Sequence, residues 1–254
     1  QLSEAIKRFN PKIIINLAGE FGRWNGEDYY ENMWKTNAIG VKNLIFLQKE
    51  YGFKLVHASS SEVYGDYQGV FKEEVMDEKP IKQMNDYAIS KWVNEMQIYN
   101  SISMHKTNSV IFRIFNTYGP GEIFNEYRSA ISRFIYSAIT KKPYKVFKGH
   151  IRTHTYIADC AKMIKIVADK GINGNAYNIA GPDCTSMEEV NDIIYELLGE
   201  KFNDNFLVNQ LEPHTTTKKI VSNKKFMNLL EEDFKFTSLK EGLKNTINWQ
   251  KNIL

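Results

Sequence analysis

The run Tyr87-Ala-Ile-Ser-Lys91 sets a phenol and an ammonium four positions apart, and on a helix positions i and i+4 share a face. A free tyrosine has a pKa of ~10 and is a poor base at neutral pH. Bringing it to ~7 takes about 4 kcal/mol of preference for the phenolate, and one ammonium at ~4 Å in an effective dielectric of ~20 supplies about that much. The pair is therefore a candidate general base, suited to drawing a proton from a hydroxyl. Ser60, within Ala58-Ser59-Ser60-Ser61-Glu62-Val63-Tyr64-Gly65, is a second hydroxyl that can bind a substrate oxygen and help pass its proton to Tyr87. Each signal is common when taken alone. Tyr-x-x-x-Lys also describes an ordinary helix surface, and serines gather at turns.

These groups meet only if the surrounding elements bring them together. Residues 13–18, Ile-Ile-Ile-Asn-Leu-Ala, read as a buried strand, 27–50 as one long helix and 53–59 as a second strand. Near-continuous apolar strands around a helix predict the βαβ unit of a parallel sheet. A helix over 86–104 carries Tyr87 and Lys91, and a strand over 108–115 ends at the turn cluster Asn116-Thr-Tyr-Gly-Pro-Gly121. Ser60 then stands at the carboxyl end of a parallel strand, where open α/β sheets bind ligands. Further on, helices are predicted over 126–141, 158–170 and 238–250, with strands over 144–148, 151–157 and 176–180. The run Ser186-x-x-Glu189 is a capping box that opens another helix.

The bulk numbers exclude several classes. The 254 residues are 43% hydrophobic and 25% charged, an ordinary globular composition. The 33 basic and 30 acidic residues leave a net charge of +3, too small an excess to argue for nucleic acid. Basic pairs such as Lys141-Lys142, Lys218-Lys219 and Lys224-Lys225 read as solvated faces. Two cysteines, Cys160 and Cys184, and five histidines make no metal-ligand spacing, so no metal is expected. No apolar run approaches the ~18 residues of a spanning helix, and no signal peptide is visible. A cytoplasmic setting and no membrane partner are the expectations.

Several motifs, in order along nearly the whole chain, resemble the extended short-chain dehydrogenase/reductases, the NAD-dependent epimerase/dehydratase family. They are Asn16-Leu17-Ala18-Gly19, Asn37 in Thr36-Asn-Ala-Ile-Gly40, Ser59 to Gly65, the Tyr87–Lys91 pair, Arg113-Ile-Phe-Asn116-Thr-Tyr118-Gly-Pro120, Arg152-Thr-His-Thr-Tyr156-Ile-Ala-Asp159, Tyr177 to Gly181, and Ser238 to Trp249. The resemblance implies an α/β fold, a Rossmann-like parallel sheet with a small C-terminal substrate-binding α/β domain. The cofactor domain would span 1–120 with 158–181 returning to it, and the nucleotide-sugar-binding domain 121–157 and 182–254. It implies NAD as cofactor, with NADP not excluded, and a nucleotide-diphosphate sugar as substrate. The catalytic residues would be Tyr87, Lys91, Ser60 and Glu62. Cofactor contacts would come from Leu17, Ala18, Gly19, Asn37, Ser59, Tyr87, Lys91 and Phe115, and substrate contacts from Ser60, Ser61, Asn116 and Arg152. An arginine fork suits a diphosphate because it bonds oxygens in pairs; Arg128 and Arg133 read instead as helix-surface charges. A homodimer through the helices 27–50 and 86–104 is also implied.

The family's opening strand, glycine-rich turn and helix have no counterpart in this chain. The run Gly19-Glu-Phe-Gly22-Arg-Trp-Asn-Gly26 follows a strand but has the wrong spacing and a bulky Trp24. The expectation is that the first strands of the sheet are absent and belong to a longer protein. All branches of the family begin by oxidising a sugar carbon. Ser60-Ser61-Glu62 resembles the 4,6-dehydratases, whose carboxyl group handles the C5 proton and the C6 hydroxyl, although Ser61 stands where the dTDP-glucose enzymes carry an acid. A 4,6-dehydratase is the first reading and a 4-epimerase the second. Decarboxylase or reductase activity, or a catalytically silent sugar-nucleotide binder, remain open.

Overall fold

The computed structural model describes all residues except 202–206 and 211. The first half builds a four-stranded sheet of order β1-β2-β3-β8, parallel throughout. Its strands are β1 (Ile13–Asn16), β2 (Lys54–Ser60), β3 (Ser109–Ile114) and β8 (Ala176–Ile179). The side chains of β2 alternate between faces, as a strand requires. Leu55 packs with Val41 and Ile45 of α4 (Gly40–Tyr51) and Ile98 of α6 (Asp86–His105), joined by Ile6 of α1 (Leu2–Phe9). Val56 packs the other way, with Met163 and Val167 of α8 (Ile157–Lys170) and Phe226 of α10 (Lys224–Met227). Burying one such side chain contributes roughly 1.5–3 kcal/mol.

β1 differs from expectation. Ile13 and Ile15 are exposed by 39% and 42%, because β1 is an end strand and only Ile14 turns toward the α4 layer. The single helix expected over 27–50 is also broken. α2 (Arg23–Asp28) and α3 (Tyr30–Trp34) are separated by Tyr29 at φ −130°, ψ 48°, and a π-helical turn over Lys35–Ile39 leads into α4. That turn is a feature found mostly at functional sites, and it carries Asn37. After β2 come a 3₁₀ turn over Ser61–Tyr64 and the short α5 (Val75–Glu78). α6 begins where the Asn85 side chain accepts the amide of Ala88 at 2.8 Å, a standard N-cap.

A second apolar cluster joins α7 (Ala130–Thr140), α9 (Met187–Leu198) and α11 (Leu239–Ile253) through Ile135, Val190, Ile194 and Leu243. The capping box at Ser186 and Glu189 forms with both of its hydrogen bonds. Short strands complete this half. β4 (Thr117–Tyr118) runs parallel to β7 (Thr155–Tyr156), and β5 (Val146–Phe147) to β10 (Leu207–Val208). β6 (Ile151–Thr153) lies between β9 (Cys184–Ser186) and β11 (Lys218–Lys219). The segment read as one strand over 151–157 is thus two strands, interrupted at His154.

Candidate active site

A cavity of about 540 Å³ opens where β2 and β3 end, between the sheet and the α7 cluster. Ser60, Ser61 and Glu62 reach it from the end of β2, Asn116 from beyond β3, Tyr87 from the first turn of α6, and Arg152 from β6. The structure therefore brings together the expected catalytic hydroxyls, the carboxylate and the expected substrate residues. The Ser60 hydroxyl accepts the amide of Glu62 at 3.2 Å and is close enough to the Tyr87 phenol to lower its pKa.

Lys91 lies beside Tyr87 on one helix face, as the spacing predicts, with its hydrogen bond turned to the strand end. Burial pushes the Tyr87 phenol up to about 12, the Ser60 hydrogen bond draws it down, and the charge of Glu62 raises it. The Lys91 ammonium lies 5.9 Å from the centre of the Tyr87 ring and donates to the Ala58 carbonyl at 3.0 Å. Its own pKa falls to about 8 through burial, opposed by Glu95. Sharing a helix face brings the two residues together, and the lysine head bonds the strand end.

Lys91 also belongs to a second group beside the cavity. Asn37 accepts the amide of Glu20 at 2.8 Å and donates to the Glu20 carbonyl at 3.1 Å and to Ser90 at 2.9 Å. A β-carbon placed on Gly19 would come within 3.1 Å of both the Asn37 Oδ1 and the Lys91 Nζ. Leu17 and Ala18 are exposed just before it. Gly19, Asn37 and Lys91, with Tyr87 beside the lysine, thus form a cradle in which a larger side chain at Gly19 would have to displace a neighbour, and they fit the ribose and nicotinamide end of a dinucleotide.

Two expected cofactor contacts face elsewhere. The Ser59 hydroxyl bonds Glu95, and Arg113 bonds the same carboxylate at two points, 3.0 Å from Nε and 2.8 Å from Nη2. That buried network takes the Ser59 side chain away from the cavity. The Phe115 ring is fully buried against Tyr64 and Phe71, so it too is core.

Charge decides the character of the cavity. Arg128 and Arg133 line it rather than an outer helix face. Arg128 lies 4.3 Å from the Phe21 ring centre, and burial lowers the pKa of Arg133. Arg152 is held by the carbonyls of Ile151 and Thr217 at 2.9 and 2.7 Å and by His150 at 3.0 Å. Burial draws its pKa down to about 10. Asn116 sits at φ 30° and donates to the Thr153 carbonyl at 3.1 Å.

Two residues that sequence reasoning missed complete the site. Arg23, in the glycine-containing run set aside earlier, pairs with Glu212 at 2.7 Å. Lys219, read as half of a solvated basic pair, is buried and ion-paired with Glu62. Burial raises the pKa of Glu62, yet Lys219, Arg23 and Arg152 together hold it below the usual carboxylate range. A two-residue strand offers too little alternation to show which of two lysines points inward. The partners of Lys219 and Arg23 are far away in sequence.

Known proteins resemble this chain in sequence and in fold. A sequence model of the NAD dependent epimerase/dehydratase family matches residues 1–180. A UDP-glucuronate 4-epimerase of Thermodesulfobacterium geofontis is 30% identical over 258 residues, covering 98% of this chain and 76% of its own length. A UDP-N-acetyl-alpha-D-glucosaminuronate decarboxylase of Bacillus cytotoxicus is 27% identical, covering 95% of this chain and 77% of its own. The crystal structure of dTDP-glucose 4,6-dehydratase from Bacillus anthracis in complex with NAD superposes with a TM-score of 0.81 and 26% identity, over 99% of this chain and 76% of that one. The UDP-glucuronic acid 4-epimerase from Bacillus cereus in complex with UDP-glucuronic acid and NAD shares the fold, with a TM-score of 0.86 at 22% identity over 100% of this chain and 79% of that one.

Proposed function

The chain belongs to the NAD-dependent epimerase/dehydratase family, and on that premise we propose that it rebuilds the sugar of a nucleotide-diphosphate sugar through a 4-keto intermediate. The observation that carries this reading is that Ser60 and Tyr87 face one cavity lined by arginines. NAD, when bound, supplies the hydride acceptor and a positive charge. Gly19, Asn37, Lys91 and Tyr87 would hold its nicotinamide end. Ser60 orients the sugar hydroxyl and Tyr87 takes its proton, which is general base catalysis. Arg152, with Arg128 and Arg133, faces the diphosphate, whose charge suits guanidinium forks.

Among the possible outcomes, 4-epimerisation is the reading supported best. It needs proton and hydride transfer at one carbon, with the keto sugar turned over before the hydride returns to its opposite face, and no further acid or base. Dehydration also needs a group that gives a proton to the departing C6 hydroxyl, and Glu62 is held as a carboxylate by its cations. The relative at 30% identity is a UDP-glucuronate 4-epimerase, which favours the same reading. A 4,6-dehydratase is the second reading, because the Glu62 carboxylate lies on the cavity wall with Ser60 and Tyr87 and can receive a C5 proton.

Incubation with NAD and UDP-glucuronate, UDP-glucose or dTDP-glucose, followed by mass spectrometry and proton NMR, tests the proposal. Epimerisation leaves the mass unchanged and inverts one sugar coupling pattern, dehydration removes one water, and decarboxylation removes carbon dioxide. Failure to convert any of the three would overturn the catalytic reading. A homodimer through α4 and α6 is a further proposal, supported by Phe46, Ile89 and Met96 exposed on those helices; a monomer in light scattering would remove it.

A further inference from the structure

Lys219 is only 4% exposed in its side chain and sits at the cavity wall, ion-paired with Glu62. It arrives there on β11, paired in register with Arg152 of β6. An isolated ammonium in such a place carries a desolvation cost of several kcal/mol, so its retention at the wall calls for an explanation.

The neighbouring charges narrow the explanation. Glu62 feels Lys219, Arg23 and Arg152. Arg23, from α2, has its guanidinium on Glu212 and the Pro213 carbonyl. Arg152 has its own on the carbonyls of Ile151 and Thr217 and on His150. Lys219 is the cation in direct contact with Glu62. On the other side, the Asn85 amide lies 3.5 Å from the second carboxylate oxygen. Glu62 is thus gripped from β11 and from the N-cap of α6, the cap that also starts the helix bearing Tyr87. The backbone amide of Glu62 is fixed in turn by Ser60. Lys219, Glu62, Ser60 and Tyr87 therefore stand together on one wall of the cavity, with the charge of Glu62 acting on the Tyr87 phenol.

We propose that Lys219 is a positioning residue of this site, holding Glu62 in one orientation as a carboxylate and cancelling the negative charge that Glu62 would otherwise impose on Tyr87. This rests on the reading of the cavity as a sugar site with Tyr87 as base. The physical cause is plain. A carboxylate near a phenol disfavours phenolate, and a cation on that carboxylate offsets it. The charge of Glu62 does act on Tyr87 in that sense, and burial leaves Lys219 itself with a pKa near about 8, raised by Glu62 against the desolvation. The remaining groups facing the cluster are Glu212, which acts on Arg152, and His154, whose pKa Arg152 lowers.

The test compares Lys219→Met, Lys219→Arg and the double variant Lys219→Met with Glu62→Gln, by pH profiles of kcat and KM with NAD and whichever of the three nucleotide sugars the native protein converts. Lys219→Met should lower kcat about tenfold and move the acid limb of its profile upward by about one pH unit, the size expected when one opposite charge is removed nearby. Lys219→Arg should restore most of both. The double variant, lacking the carboxylate as well, should return the limb to the native position or below, and it keeps the question open to measurement if the single variant does not fold. An unmoved limb in Lys219→Met, or in the double variant a limb that stays high, overturns the proposal. A native protein that converts none of the sugars overturns the underlying reading instead, so the two failures are distinguishable.

Discussion

Lys91 holds its ammonium 5.9 Å from the centre of the Tyr87 ring and gives its hydrogen bond to the Ala58 carbonyl, at 3.0 Å. Ser60 is the hydroxyl that lowers the pKa of the phenol. With burial holding the phenol near about 12, Tyr87 must be ionised by groups gathered around it rather than by a lysine contact alone. Replacing Tyr87 by Phe keeps the ring in its place and removes only the oxygen that takes the proton. Such a loss is expected to cut hydride transfer about 10²–10⁴-fold while nucleotide-sugar binding stays within about twofold of native, a range that allows ~0.4 kcal/mol. Single-turnover absorbance of reduced nicotinamide reads the first and calorimetric titration the second. Native turnover by Tyr87→Phe would remove the residue from the mechanism.

Gly19 makes a sharper test of the cradle. An added β-carbon would stand 3.1 Å from Asn37 Oδ1 and 3.1 Å from Lys91 Nζ, tighter than a relaxed contact, so one of the two must shift. Asn37 is held by three hydrogen bonds, which leaves the lysine to move. Gly19→Ala should weaken NAD binding about tenfold, or ~1.4 kcal/mol, with little change in Tm. Unchanged NAD affinity by fluorescence titration would place the dinucleotide elsewhere.

The sequence showed most of the sheet and the cavity wall, and the reasons for the misses are physical. Strand and helix periods are local properties, so β2, β3, β8, α6 and the capping box of α9 were all legible. The exposure of Ile13 and Ile15 was not, because an apolar run reads alike in a central strand and at a sheet edge. The breaks at Tyr29 and over Lys35–Ile39 leave no mark in a hydrophobic pattern. Side-chain direction explains the rest. Ser59 and Ser60 are adjacent in β2, so they point to opposite faces, one to Glu95 and the other to the cavity. Lys219 and Arg23 become site residues only through partners distant in the chain.

The ion pair of Arg113 and Glu95 stands under the site. Both side chains are at most 2% exposed, and the guanidinium also donates to the Tyr64 hydroxyl at 2.9 Å. Removing one member leaves the other buried without a counter-charge, which typically costs 3–5 kcal/mol. Glu95→Gln should therefore lower Tm by roughly 6–15 °C for a chain of this size. The double variant Glu95→Gln with Arg113→Met should recover a good part of that loss, since a buried pair replaced as a unit is often neutral. A native Tm for Glu95→Gln in differential scanning calorimetry would show that the pair is not desolvated.

His154 lies in the cavity wall, 3% exposed, with the Tyr118 ring edge-on at 6.4 Å. Burial first, and Arg152 second, draw its pKa from 6.5 down to about 4. The unfolded chain therefore takes up a proton on this residue as pH falls below 6.5, while the folded chain refuses it until about 4. Stability contributed by the neutral ring is complete above pH 6.5, declines between 6.5 and 4, and is flat below. The loss amounts to about 3 kcal/mol at most, since each pKa unit is worth ~1.4 kcal/mol. His57, fully buried and lowered chiefly by desolvation and then by Lys91, acts in the same direction, whereas the stability from the depressed carboxylate of Glu62 is complete above the ordinary carboxylate range and is lost only as the pH falls through and below it. Native protein should lose roughly 5–10 °C of Tm over this window through His154. His154→Gln cannot take up that proton in either state, so its Tm should fall less steeply between pH 6.5 and 4.5. Parallel curves for the two proteins would mean that His154 is protonated as readily in the fold as outside it.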